Sequence, residues 1–295
     1  MKSRISAAAL AAALAVAAPS SWAVATANFT VDDLTLTLSA LSPSGPAPSI
    51  AFDLQGLGPL LQTWASSETP VVYNSHQVDG NTPFGEVSSA DAAPGSSSQA
   101  SLAGDVLAGA RIAESASALG TVPGGHLNTA YARLDLDDSA GPLRFTLGPN
   151  TLLEISGTAT LSSSVADGSD TSAGGYEFAY AQAFFELSGS RGPMSQDARA
   201  SFSVQSEVLD GTRDSDPAFD SEDFSIAFVG SRTDATSGLF LASVEVYATS
   251  SLSPIPEPSS LALLIAGAAA LLPAYRRRRR TCVIFAGFMA FSGNT

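Results

Sequence analysis

The chain has 295 residues, with 28 Asp and Glu, 14 Lys and Arg, and a single cysteine. The segment Val24–Pro254 contains seven arginines and 27 Asp and Glu residues, so its formal charge is −20. Such a segment is a poor partner for nucleic acid, whose phosphates need clustered Lys and Arg. Because Cys282 lies beyond this segment, disulfides, thiol nucleophiles and cysteine-based metal sites are excluded from it.

The first 23 residues have the pattern of a secretory signal peptide. Two basic residues open the chain, the apolar run Ile5–Ala18 follows, and small residues then offer a cleavage site. We expect cleavage after Ala23, with Ala25 as the alternative. A permanent N-terminal anchor is the competing interpretation, and the shortness of the apolar run disfavours it.

Residues 24–249 are predicted to form an exported all-β body. Alternation of apolar and polar residues predicts strands with one buried face and one wet, Ser/Thr-rich face, over Asp33–Ala40, Leu152–Ser162, Ala198–Val208, Phe224–Phe228 and Phe240–Val246. Shorter runs predict further strands over Ile50–Leu54, Val71–Tyr73, Ala130–Leu136, Leu143–Leu147 and Glu177–Leu187. Clusters of Gly, Pro and Ser separate these runs. The pattern predicts a β-sandwich of jelly-roll type.

One segment of the body, Ser101–Leu119, is ambiguous. Its alanines favour a helix, whereas the order of Ile112, Glu114, Ala116 and Ala118 matches an alternating strand. We expect a strand.

The sequence offers little for catalysis. Its two histidines, His76 and His126, stand outside any H-E-x-x-H context, and there is no G-x-S-x-G nucleophile elbow. Both histidines are expected to be surface loop residues, and the protein is expected not to be an enzyme. Paired carboxylates that hydrolyse a glycosidic bond are the alternative, but so many acidic residues make coincidental pairs inevitable.

An acidic segment over Asp210–Asp223 raises the question of a cation site. Calcium takes six to eight oxygen ligands, which alternate carboxylates on a loop can supply. The candidate ligands are Asp214, Asp216 and Asp220. Their spacing is not that of an EF-hand loop, and a solvated acidic loop is the favoured interpretation.

A polysaccharide-binding module would present exposed aromatic side chains on one sheet face. The densest aromatic stretch contains Tyr176, Phe178, Tyr180, Phe184 and Phe185. Most of these are expected in the core. Trp64 is the only tryptophan after removal of the signal peptide, and a sugar-binding surface usually has more exposed aromatic side chains than that.

The C-terminal part of the chain has the features of a membrane segment. A short linker, 250–258, leads to the uncharged stretch Ser259–Tyr275. As a helix rising about 1.5 Å per residue, this stretch would be about 26 Å long, just short of a ~30 Å hydrocarbon core. Five arginines follow it and are expected to stop translocation and stay cytoplasmic: Arg276, Arg277, Arg278, Arg279 and Arg280.

Pro256, Glu257 and Pro258, followed by a short apolar span and an arginine cluster, resemble the PEP-CTERM sorting signal. The resemblance implies recognition by a membrane-embedded exosortase, removal of the tail, and delivery to the surface or extracellular polymer matrix of a Gram-negative bacterium. It covers about 25 residues and says nothing about the body.

The chain departs from that pattern after Arg280, where Thr281–Thr295 continues it. The apolar run Cys282–Phe291 is too short to span a membrane. It is either an interfacial segment or the product of a frameshift or a mispredicted stop, and the second is favoured.

These observations together predict an exported, non-enzymatic cell-surface or matrix protein, anchored in the inner membrane until its tail is processed. The alternatives are a carbohydrate-binding module for exopolysaccharide and, less favoured, a polysaccharide hydrolase. No cofactor is expected besides the calcium considered above.

Overall fold

The computed structural model describes residues 23–53, 59–68, 71–79, 84–120, 127–135, 143–165, 176–191, 194–209, 212–213 and 217–251. All of them belong to one compact unit that spans Trp22–Pro254. Within these ranges the chain is built from strands, and it contains no helix with the length and apolarity that a membrane crossing requires.

The described ranges contain fifteen strands. In chain order they are β1 (Ala23–Ala40), β2 (Ile50–Asp53), β3 (Leu60–Glu68), β4 (Val71–Asp79), β5 (Val87–Ala93), β6 (Ser96–Asp105), β7 (Gly109–Gly120), β8 (Asn128–Asp135), β9 (Leu143–Leu147), β10 (Thr151–Val165), β11 (Tyr176–Arg191), β12 (Met194–Leu209), β13 (Thr212–Arg213), β14 (Ala218–Val229) and β15 (Thr236–Ser250).

The strands form two antiparallel sheets. The first, sheet A, has the order β14-β10-β1-β7-β6-β5. The second, sheet B, has the order β13-β12-β11-β15-β8-β3-β4, and β9 pairs with the first half of β15 and with β2. The prediction of an all-β fold is confirmed.

The core lies between the two sheets, where their apolar faces meet. Aromatic rings cross this interface: Phe145 of sheet B packs edge-on against Phe228 of sheet A at 5.3 Å, and Phe185 stacks on Phe224 at 4.8 Å. Burying apolar surface in this way is the main favourable contribution to folding. The alternation noted in the sequence selects the buried face, as in Leu153, Ile155, Ala159 and Leu161 of β10.

The ambiguous segment is strand, as expected. It holds the end of β6 and the whole of β7, which are joined by a turn over Val106–Ala108. Ile112, Ala116 and Ala118 are buried on the core face. Strand pairing decides the conformation here, because β7 lies between β1 and β6 and its backbone is hydrogen-bonded on both sides.

The outer face of sheet A matches the predicted hydroxyl-rich surface. Thr26 of β1 lies 2.8 Å from Ser164 of β10, and Thr35 lies 3.1 Å from Ser156, oxygen to oxygen. The outer face of sheet B is different, because aromatic side chains occupy its centre.

Candidate functional site

Four aromatic side chains lie in register across the middle of sheet B, on adjacent strands β3, β8, β15 and β11. Trp64 pairs with Tyr131, Tyr131 with Tyr247, and Tyr247 with Tyr180. Their sequence neighbours, such as Ala65 and Val246, are fully buried. Since side chains alternate along a strand, the four rings must lie on the outer face. We call this set the aromatic row.

The rings of the aromatic row overlap only in part. Trp64 and Tyr131 have centroids 5.8 Å apart with planes at 29°, and Tyr180 and Tyr247 are 5.6 Å apart at 21°. Planes in contact are ~3.5–4.0 Å apart, so these rings are displaced sideways by roughly 4–5 Å. Each of the four side chains is half-buried, so part of its surface is exposed to solvent. Tyr73 of β4, 65% exposed, extends the stack beyond Trp64 at 6.0 Å.

A second set of side chains runs beside the first, two residues along each strand. Gln62, Arg133, Glu245, Gln182 and Ser203 pair in that order across β3, β8, β15, β11 and β12. We call this set the polar row. Amides, a hydroxyl and two charged groups therefore lie within one side-chain step of the aromatic rings.

Both charged side chains of the polar row are hydrogen-bonded within the site. The Arg133 Nε donates to the carboxylate of Asp135 at 2.8 and 2.9 Å. The Tyr180 hydroxyl donates to the Glu245 carboxylate, and the Gln182 amide approaches the other oxygen of that carboxylate at 3.5 Å. The outer face thus presents donors and acceptors, with Arg133 paired to a carboxylate and Glu245 hydrogen-bonded to two neutral groups.

Two phenols of the aromatic row, those of Tyr131 and Tyr180, stay neutral. Burial, and then the charge of Glu245, raises the pKa of Tyr131 to about 12. Burial followed by the hydrogen bond to Glu245 raises the pKa of Tyr180 still further above its ordinary value. Both hydroxyls therefore remain protonated donors through the physiological pH range.

A shallow groove lies over β15, β11 and β12, and four members of the polar row line it: Arg133, Glu245, Gln182 and Ser203. Its volume is about 440 Å³, and Gln182, Phe184 and Arg199 line it. The Arg199 guanidinium lies 5.1 Å from the centre of the Phe184 ring, a cation–π distance. A second hollow of about 370 Å³ adjoins it, with Tyr180 and Gln205 in its wall.

His76 lies within β4, so the prediction of a loop position was wrong. Its Nδ1 is 2.5 Å from Oδ1 of Asp91, whose side chain is 1% exposed. The other oxygen of Asp91 accepts the Thr63 hydroxyl at 2.7 Å and the His76 backbone N–H at 2.9 Å. In a Ser-His-Asp triad the hydroxyl contacts the imidazole nitrogen remote from the carboxylate. Here Thr63, with Ser89 at 2.7 Å from it, lies on the carboxylate side.

The other sequence candidates fall mostly outside the described residues. These are His126, Asp214, Asp216, the motif Pro256–Pro258 and the arginines 276–280. Asp220 is exposed on β14. In the part of the chain that the structure describes, no group of three or more His, Cys, Asp or Glu side chains could hold a metal ion.

The expectation that the aromatic stretch of β11 is mostly core was wrong. Only Phe185 is buried, whereas Tyr176, Phe178, Tyr180 and Phe184 are half-buried on the outer face. The alanines that alternate with these aromatic residues could have indicated this, because their small side chains face the core and the aromatic side chains therefore face outward. Tyr131 and Tyr247 were missed, since only the strand register brings them beside Trp64 and Tyr180.

Comparison of the chain with protein-family models, with curated proteins and with solved structures gives no match.

Proposed function

We propose that this chain is an exported, non-enzymatic surface or matrix protein that binds polysaccharide on the outer face of sheet B. One observation carries the proposal: four aromatic rings in register across four adjacent strands, with a row of amides, charged groups and a hydroxyl beside them. Sugar rings have apolar C–H faces that pack on aromatic rings and hydroxyls that need hydrogen-bond partners. The two rows supply both kinds of contact.

Export and sorting are proposed from the ends of the chain. The signal-peptide pattern before Ala23 and the PEP-CTERM-like tail from Pro256 are consistent with each other, because the body must cross the inner membrane before a tail can hold it there. In this proposal an exosortase removes the tail, including Thr281–Thr295, and the body reaches the cell surface or the extracellular matrix.

We also propose that the body is a sandwich of jelly-roll type and that Ser259–Tyr275 is the transmembrane helix. Support for the first comes from the path of the chain, which crosses seven times between the sheets: from β1 to β2, β4 to β5, β7 to β8, β9 to β10, β10 to β11, β13 to β14 and β14 to β15. Support for the second is the uncharged stretch and the arginines after it.

The arrangement around His76 argues against a hydrolase with a hydroxyl nucleophile, a mechanism distinct from the paired carboxylates of glycoside hydrolysis. The hydroxyls of Thr63 and Ser89 lie on the Asp91 side of the contact, which is the wrong place for a nucleophile that His76 would activate. In the row itself, Glu245 accepts the Tyr180 hydroxyl and acts as a fixed acceptor.

Two measurements test the proposal. Affinity electrophoresis in gels containing soluble polysaccharides should retard the protein, and Tyr247→Ala should lose that retardation, whereas Phe219→Ala, at a ring 71% exposed outside the row, should keep it. Equal retardation of both variants would refute the assigned surface.

Fractionation with intact-mass measurement tests sorting. A mature protein whose mass shows that it ends near Pro258 supports sorting, and a membrane-bound species that retains Arg280 overturns it.

A further inference from the structure

We infer that the ligand is a neutral polysaccharide that lies across the strands of sheet B and is bound along its length, without its chain ends being recognised. This inference rests on the proposed function and adds the class and the orientation of the ligand.

The orientation follows from the direction of the aromatic row. The rings of Trp64, Tyr131, Tyr247 and Tyr180 lie on four neighbouring strands, and three steps of ~4.8 Å between strands give a row roughly 15 Å long, enough for about three sugar rings. The row runs at right angles to the strands. A polymer that packs on all four rings must therefore cross the strands.

Recognition along the polymer follows from the two ends of the row. Ser75 of β4 is in register beyond Trp64, and Gln205 of β12 is in register beyond Tyr180. Both are exposed polar side chains at the level of the sheet surface. A polymer can therefore continue past either end, whereas a site that recognises chain ends needs a wall at one of them.

The polar row fixes the polymer against sliding sideways. It lies two residues from the aromatic row along each strand, a distance of ~7 Å. The amides of Gln62 and Gln182 and the hydroxyl of Ser203 are donors and acceptors for sugar hydroxyls at that distance. Contact with both rows requires an extended chain about one sugar ring wide.

The neutrality of the ligand follows from the charges in and around the site. Arg133 is paired with Asp135, and Glu245 accepts from Tyr180, so neither row offers a free cation to an acidic polymer. The rest of the body carries a formal charge of −20 between Val24 and Pro254, and a field of that sign repels polyanions at low salt. Arg199 lines the same groove as the polar row and is a cation available to an acidic sugar, so its replacement tests the charge of the ligand.

The test is isothermal titration of the mature protein with neutral polymers (hydroxyethyl cellulose, laminarin and galactomannan) and with acidic polymers (polygalacturonate and alginate). We expect a neutral polymer to bind and the acidic polymers to bind at least tenfold more weakly at low salt, where surface charges are least screened. Affinity for oligosaccharides of the bound polymer should rise with length and level off near three sugar units, and borohydride reduction of the chain end should leave it unchanged. Tyr180→Ala should weaken binding of the neutral polymer about 3- to 10-fold. Arg199→Gln removes the charge and keeps a hydrogen-bonding side chain, so it should weaken that binding by less than about twofold.

The outcomes separate the two proposals. An acidic polymer that binds more tightly than the neutral polymers, and whose binding is lost in Arg199→Gln, overturns the neutral ligand and leaves glycan binding standing. An affinity that depends on the unreduced chain end overturns binding along the polymer. Absence of binding to every polymer overturns the glycan-binding function itself.

Discussion

Replacement of Glu114 by methionine is expected to stabilise the protein at neutral pH. Glu114 points into the core from β7, between Ile112 and Ala116 on the same face, and is 3% exposed. Neither of its carboxylate oxygens has a hydrogen bond of good geometry among the described residues, and the Leu134 backbone compensates its burial only in part. Methionine has a similar length and shape and carries no polar oxygen, so it removes the unpaired group without opening a cavity.

The pKa of Glu114 determines how this effect depends on pH. Burial, and then the charges of Asp135 and Glu245, raises the pKa of this carboxyl well above its ordinary value, and the Leu134 backbone and Arg133 act weakly in the opposite direction. A raised pKa means that the folded state retains a proton that the unfolded state releases above about pH 4.3. The stability of the native sequence therefore falls as the pH rises through that range.

The gain in Glu114→Met should be about 1–3 kcal/mol at pH 7, the cost of burying a polar group without a partner. For a domain of this size that is a rise in the thermal midpoint of roughly 2–12 °C. The gain should shrink as the pH approaches 4, where the carboxyl is protonated in both states. Calorimetry at several pH values measures both quantities. Glu222→Met, at an exposed position of β14, is the control and should change stability by less than about 0.5 kcal/mol. Loss of stability in Glu114→Met, or a gain of equal size at pH 4 and pH 7, would refute the reasoning.

Three further predictions concern the same body. The denaturant midpoint should fall as the pH rises above ~10, because the raised pKa of Tyr131 keeps its phenol protonated in the folded state while the unfolded state releases the proton. The midpoint of Tyr131→Phe should fall less over the same pH range. Gly238→Ala should cost about 1–3 kcal/mol by chemical denaturation, because its new methyl group would overlap the ring of buried Phe145; an unchanged midpoint would contradict that packing. Asp91→Ala should cost about 1–3 kcal/mol, since it removes the acceptor of the His76 backbone N–H and one of the two partners of the buried Thr63 hydroxyl; an unchanged midpoint would contradict that role of the carboxylate.

The fold class was readable from the sequence wherever alternation was strong. In β10 and β15 the buried residues are those that the period of two selects, for example Leu153 and Val244. Strand β3 was missed because its core-facing side chains include the polar residues Thr63 and Ser67. The start of β1 was missed because Ala25 and Ala27 are small, although both are fully buried.

The candidate site was harder to predict, because it depends on contacts between distant parts of the chain. Alternation places Tyr180 and Tyr247 on one of two faces, but it does not say which strands are neighbours or in which register they pair. Trp64 and Tyr180 come from strands more than a hundred residues apart in sequence. Only the order β11-β15-β8-β3 brings their rings into one row.

The fluorescence of Trp64 tests the central claim most directly. Trp22 lies in the predicted signal peptide, so the processed protein has Trp64 as its only tryptophan, and that ring is part of the aromatic row. Titration with a neutral polysaccharide should shift its emission and protect it from quenching by acrylamide, with the same midpoint as the heat of binding. A polysaccharide that binds with no change in emission or quenching would contradict the assignment of the aromatic row as the binding site.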